Sequence, residues 1–162
     1  MTAVISNASP LIGLCKIDLL YVLKELWREV TIPEAVYREV VVDGKGKPGS
    51  NVIESACKDW IKVVAVKNRH EVEALQTILD KGESEVIALG QELKADLLLL
   101  DNKEPRLFAK GIDLDMIGTV GIIRMAWERE LIEDPVKQIH HLRLNGFWIH
   151  DEVVEQFKKG IK

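Results

Sequence analysis

No stretch of this chain is apolar for the roughly 18 to 20 residues that a bilayer crossing requires. The N-terminus also lacks a charged segment followed by an apolar signal core, so the expected address is the cytoplasm, with no membrane partner. Cysteine is scarce: Cys15 and Cys57 stand inside apolar helical patterns, without CxxC spacing or nearby histidines. That favours buried free thiols over a disulfide, a zinc site or a nucleophile. His140 and His141 are adjacent and diverge on a helix, and His70 and His150 are isolated, so the histidines offer no zinc or triad arrangement. A basic surplus is missing too. The formal charge of −4 argues against broad electrostatic binding of nucleic acid, although a divalent cation on one acidic cluster would invert the potential there. Gly118-Thr119-Val120-Gly121 has no Walker lysine and no dinucleotide fingerprint, so it reads as a helix entry turn. Aromatic residues are few. Trp27, Trp60, Trp127 and Trp148 lie far apart in apolar surroundings and read as core or interface anchors, not as a row for stacking bases.

What the chain does have is a regular alternation of short apolar runs and helical patterns. With 47% hydrophobic and 30% charged residues over 162 positions, one α/β domain spanning residues 1–162 is expected. Strands are expected at Ala3 to Ser6, Glu29 to Ile32, Ile61 to Val66, Leu97 to Asp101 and Ile112 to Ile117. Helices are expected at Leu11 to Ile17, with Ser9 as N-cap and Pro10 in the first turn, and at Asp18 to Leu26 and Glu34 to Val41. Further helices fall at Asn51 to Lys58, Glu71 to Leu79, Glu83 to Leu93, Asn102 to Lys110 and Thr119 to Arg129, the last capped by Thr119. Pro135 to Leu144 and Asp151 to Lys159 complete the chain, and helices from about residue 134 are expected to pack on an edge or a partner. Asp43 to Ser50 is a solvated loop carrying Lys45 and Lys47. Strands alternating with helices specify a three-layer α/β/α fold with a central parallel sheet. The apolar helices Leu11 to Leu26 and Val120 to Trp127 suggest more hydrophobic surface than one sheet covers, and hence a homodimer.

Ligands in open α/β sheets gather outside the carboxyl ends of strands, which is where Asp101, closing Leu97-Leu98-Leu99-Leu100-Asp101, should stand. Glu83 opens the preceding helix, and the return strand runs antiparallel to it, so the two carboxylates should meet at one rim. Asn7 follows the first strand and Glu39 lies on the helix after the second. Carboxylates brought together raise one another's pKa, and hard oxygen-binding cations such as Mg²⁺ or Mn²⁺ are the usual compensation. Each acid also has an ordinary reading: a helix-dipole partner for Glu83 and Glu85, a solvated helix residue for Glu39, and N-caps for Asn7, Ser9, Asp101 and Asn102.

The runs VISNASPLIGL, IPEAVYREV, GESEVIALGQEL and LLLLDNKEPRLFA, followed by GTVGIIRMA, are similar, in that order, to the PIN-domain family of metal-dependent ribonucleases. The likeness is to small single-domain members that include toxins of toxin–antitoxin pairs. It implies a sheet rim carrying Asn7, Glu39, Glu83 and Asp101 as catalytic positions, with Glu39, Glu83 and Asp101 binding Mg²⁺ or Mn²⁺. It also implies RNA as substrate, a small antitoxin protein as partner and a homodimer. The chain departs from the family at Asn7, where Asp is usual, and at Asn102, where related sequences often carry another acid. An amide oxygen can ligate a metal but brings no charge and cannot act as a base. Glu85 competes with Glu83, and since residues two apart on a helix cannot share a face, only one of them points at the metal; the resemblance implies Glu83, whose spacing to Asp101 fits the family's usual separation. Two main readings follow: a metal-dependent endoribonuclease, or a non-catalytic PIN-like interaction module with a weakened metal site. A nucleotide-binding regulatory domain is a third.

Overall fold

The computed structural model describes residues 3–161. Five short strands, β1 (Val4–Ser6), β2 (Val30–Pro33), β3 (Ile61–Val64), β4 (Leu97–Leu99) and β5 (Met116–Ile117), form one parallel sheet in the order β3-β2-β1-β4-β5. Strands β1 and β2 are buried along their whole length, as parallel strands covered on both faces must be, which is why they read as unbroken apolar runs. The edge strand β3 instead exposes Lys62 and Val63, and a charged side chain on an edge discourages pairing with another chain.

Among the described residues ten α-helices connect or follow these strands: α1 (Ala8–Lys16), α2 (Tyr21–Trp27), α3 (Glu34–Tyr37), α4 (Ser50–Cys57), α5 (Arg69–Leu75), α6 (Lys81–Leu93), α7 (Lys103–Gly111), α8 (Thr119–Glu128), α9 (Pro135–Leu144) and α10 (Asp151–Ile161). Helix α6 lies against β1, β2 and β4 and packs with α3, α5 and α7, whereas α1 packs with α4, α8 and α9. The result is a three-layer α/β/α sandwich. Its core is filled by fully buried Ile5, Leu98 and Leu99 from the sheet, Leu11 and Leu14 from α1, Ile87 and Leu89 from α6, and Ile122 from α8.

Several sequence-based boundaries need correction. The helix expected over Glu34 to Val41 is α-helical only to Tyr37 and continues as a π turn, Arg38–Val42, in which the Asp43 amide donates to the Arg38 carbonyl at 2.7 Å. Val40 and Val41 are both buried, and the extra residue in this turn accommodates two adjacent β-branched side chains that a regular period would separate. Asp18 takes a left-handed conformation (φ 57), so α2 starts at Tyr21. Helix α5 starts at Arg69 because the Asn68 side chain accepts from the Glu71 amide at 3.2 Å. Asp113, also left-handed (φ 62), separates α7 from β5 and shortens that strand to two residues.

The surplus apolar surface expected of Leu11 to Leu26 and Val120 to Trp127 is not present. Leu11, Leu14, Leu23, Ile122 and Ile123 are each 0% exposed within the chain itself, because α1 and α8 pack on each other and α2 packs on β2. Cys15 and Cys57 are free but half-buried. Trp27 and Trp60 are partly buried against the core and Trp127 is half-buried, but Trp148 is 75% exposed and anchors nothing there.

Candidate functional site

The sheet winds outward in both directions from β1 and β4, which are direct neighbours with Val4, Ile5 and Ser6 opposite Leu97, Leu98 and Leu99. A topological switch point of this kind leaves a crevice beyond the strand ends. The two residues that emerge there are the ones the sequence singled out. Asn7 follows β1 directly, its amide donating to the Leu99 carbonyl at 3.0 Å, and Asp101 follows Leu100, whose amide donates to the Ile117 carbonyl at 3.0 Å.

The first turn of α6 approaches the same crevice. Its N-cap is Asp80, which the sequence reading omitted: Asp80 Oδ1 accepts from the Glu83 amide at 2.7 Å, and Glu83 Oε1 accepts from the Asp80 amide at 3.1 Å. This reciprocal capping box starts the helix at Lys81, two residues before Glu83. Its signal was legible as Asp followed three residues later by Glu. Gly82 lies between the two acids. A Cβ there would stand 3.3 Å from Asn7 Oδ1, 3.3 Å from Glu39 Oε1 and 3.6 Å from Asp80 Oδ1. Three oxygens from three separate elements therefore converge on one bare backbone position. Asn7 is the N-cap of α1 by position but makes no side-chain cap bond, and its amide oxygen takes part in this convergence. Glu39 is delivered by the π turn, a helical irregularity frequent at functional sites. A cavity of about 250 Å³ adjoins, lined by Asn7, Ser9, Lys16, Glu39, Asp80 and Asn102 among others.

The remaining expected acids are held differently. Glu83 is buried, with Oε1 committed to the capping box and Oε2 accepting from Asn102 Nδ2 at 2.6 Å. Asn102 is the N-cap of α7 and likewise makes no cap bond with its side chain. Both Asp101 oxygens are occupied: Oδ1 accepts from the Thr119 amide at 2.7 Å, and Oδ2 accepts from Thr119 Oγ1 at 2.7 Å and Ser9 Oγ at 2.9 Å. Asp101 thus satisfies the first turn of α8, whose N-cap is Gly118 and not Thr119. Ser9 lies inside α1 and points at Asp101, so it is not the N-cap the sequence suggested. Glu85, 3% exposed, faces away from Gly82, accepting from the Ala35 amide at 3.0 Å and from Arg69 Nη1 at 2.9 Å.

Negative charge gathers in the crevice. The Glu39 carboxyl is held above the ordinary carboxylate range, first by partial desolvation and then by the negative charges of Asp80, Glu83 and Asp43. An all-oxygen donor set with excess negative charge suits a hard divalent cation in kind. In number it is short: among the described residues no group of three or more His, Cys, Asp or Glu side chains is placed to hold a metal ion. The convergence on Gly82 supplies two carboxylates and one amide.

The chain's amino-acid sequence matches the family described as a PIN domain over residues 3–162. No curated protein matches it.

Proposed function

The chain belongs to the PIN-domain family, and on that premise we propose that it is a metal-dependent endoribonuclease that hydrolyses RNA phosphodiester bonds in the cytoplasm. In this reading it is the toxin of a toxin–antitoxin pair, held by a small antitoxin protein and dimeric with a second copy of itself. One observation carries the reading: Asn7, Glu39 and Asp80 bring their oxygens together over Gly82 at the switch point of the sheet. Glu39, Glu83 and Asp101 would hold Mg²⁺ or Mn²⁺, with Asp80 beside them and the Asn7 amide as an uncharged donor. Such a cation supplies activation of water and neutralisation of phosphoryl charge in hydrolysis.

The chain's own residues divide the remaining work. The Glu39 carboxyl is pushed toward protonation by burial and then by its acidic neighbours, so it gains from a cation. Thr119 and Ser9 orient Asp101, and Asn102 orients Glu83. Lys16, tethered to the Asn145 carbonyl at 3.2 Å, lines the same cavity and offers a positive charge to a phosphate. No His or Cys lines that cavity, which leaves a carboxylate as the proton acceptor for the attacking water.

A second reading is a non-catalytic nucleic-acid or protein interaction module. Asn7 favours it, and so does the full occupation of both Asp101 oxygens by protein donors. A cleavage assay on varied RNAs with Mn²⁺ and with EDTA separates the two. The nuclease reading expects cleavage that EDTA abolishes and that Glu39→Ala abolishes with the fold intact. Cleavage undiminished in EDTA refutes the metal mechanism, and no cleavage with any divalent metal leaves the interaction module.

A further inference from the structure

Beyond Asp101 the crevice opens into a second and larger hollow, about 690 Å³, of whose lining the chemistry above uses Ser9, Asp101 and Asn102 alone. Phe147, Trp148, Ile149 and His150 line it together with Lys103 and Arg106, and Ser9, Asn102, Gly146 and Phe147 are common to both cavities. The hollow is therefore continuous with the candidate site. Lys103, Arg106 and Lys110 recur on α7 at spacings of three and four, which places them on one helix face. They form no ion pair among the described residues. In a chain of net charge −4, this stripe is a local exception.

The aromatic side is built rather than loose. Gly146, at φ 86, turns the chain out of α9, and Phe147 lands on Gly13 of α1, where a Cβ would stand 2.9 Å from the Phe147 ring. Arg143 donates to the Ile149 carbonyl and, at 3.0 Å, to Asp151 Oδ1, so both ends of the Trp148 segment are pinned. Trp148 meets His150 edge to face, with ring centroids 4.1 Å apart and an interplanar angle of 69°, and remains 75% exposed. A large aromatic side chain held in water in the same hollow as unpaired cations suits a partner with exposed π faces and a polyanionic backbone. Single-stranded nucleic acid has both, whereas duplex bases are already stacked.

We propose that Trp148, met edge to face by His150, is a shelf on which a base of single-stranded RNA stacks, its backbone tracking the Lys103-Arg106-Lys110 stripe as the strand leads to or from the scissile phosphate. The position of the scissile bond rests on the nuclease reading; the binding surface does not. The test is fluorescence anisotropy with a fluorescein-labelled oligouridylate in EDTA, where cleavage by the proposed mechanism is silent. Trp148→Ala should weaken binding roughly tenfold or more, and Trp148→Phe should restore most of it. Replacing Lys103, Arg106 and Lys110 together by Gln should reduce the slope of log affinity against log salt by about 2. Three results overturn the shelf: no binding by the wild-type chain, Trp148→Ala binding within twofold of wild type, or equal affinity for duplex RNA. Sedimentation showing that Trp148→Ala dissolves a dimer while RNA affinity is unchanged overturns it as well, and assigns the surface to a second copy. A chain that binds through Trp148 but cuts no RNA with any metal keeps the shelf and loses the nuclease. A chain that cuts RNA while Trp148→Ala binds normally does the reverse.

Discussion

Replacing Asp101 by Ala in the absence of metal measures what its carboxylate does for the fold alone. Three donors lose their acceptor at once: the Thr119 amide, the Thr119 hydroxyl and the Ser9 hydroxyl. Hydrogen bonds to a charged group contribute about 1.5–3 kcal/mol each, and a buried donor left unpaired costs about 1–3 kcal/mol. Thr119 is 0% exposed, so its amide cannot turn to water. Because the three bonds share one carboxylate their losses overlap, and a total of about 3 kcal/mol is expected. For a domain of this size that corresponds to a fall in Tm of roughly 6–12 °C, read by far-UV circular dichroism in EDTA. Asp101→Asn keeps one acceptor oxygen and should lose about half as much. A fall of less than about 2 °C for the Ala variant would refute the assignment of Asp101 as the anchor of α8. It would also free its carboxylate for an undivided role in the metal site.

Gly82→Ala should leave Tm unchanged or slightly raised, since Ala is the better helix former, while its Cβ intrudes on Asn7 and Glu39 at 3.3 Å and weakens Mn²⁺ binding in calorimetry; unchanged affinity would place the cation elsewhere. Glu85→Ala strips the Ala35 amide and Arg69 of their partner at a site 3% exposed, so it should cost about 2 kcal/mol but spare the cleavage rate of the folded fraction. Glu83→Ala should reduce that rate, and the opposite ranking would exchange the two roles. Burial raises the Cys15 and Cys57 thiols from their ordinary 9.0 to about 11, so iodoacetamide should modify the folded chain far more slowly at pH 8 than the unfolded one. Because the folded state holds these protons longer, the stability they contribute is complete below pH 9 and is lost as pH rises from 9 toward about 11; a Tm flat across that window would show the thiols to be solvated.

The alternation of apolar runs and helical periods determined the α/β class, the five strands and the placement of Asn7 and Asp101 at carboxyl ends, because burial on both faces of a parallel sheet demands unbroken apolar strands. The ordered family motifs led to Glu39 and Glu83; the i, i+2 geometry of a helix separates Glu83 from Glu85, and the family's spacing to Asp101 is what favours Glu83. Only the tertiary structure decided which oxygens are free. Ser9 and Asp101 are 92 residues apart in sequence and Asn102 and Glu83 are 19 apart; local pattern reports which side chains must leave water but not which distant donor each acceptor will meet. An acid before a helix reads as a cap, and only the fold makes Asp80 both a cap and a neighbour of Glu39. The π turn that delivers Glu39 escaped for a related reason: it answers the packing of Val40 and Val41 into a core whose shape no local period encodes. Trp148 shows the same limit in reverse, since a tryptophan in apolar company reads as buried, and only the turn at Gly146 and the grip of Arg143 set it in solvent beside the stripe of α7.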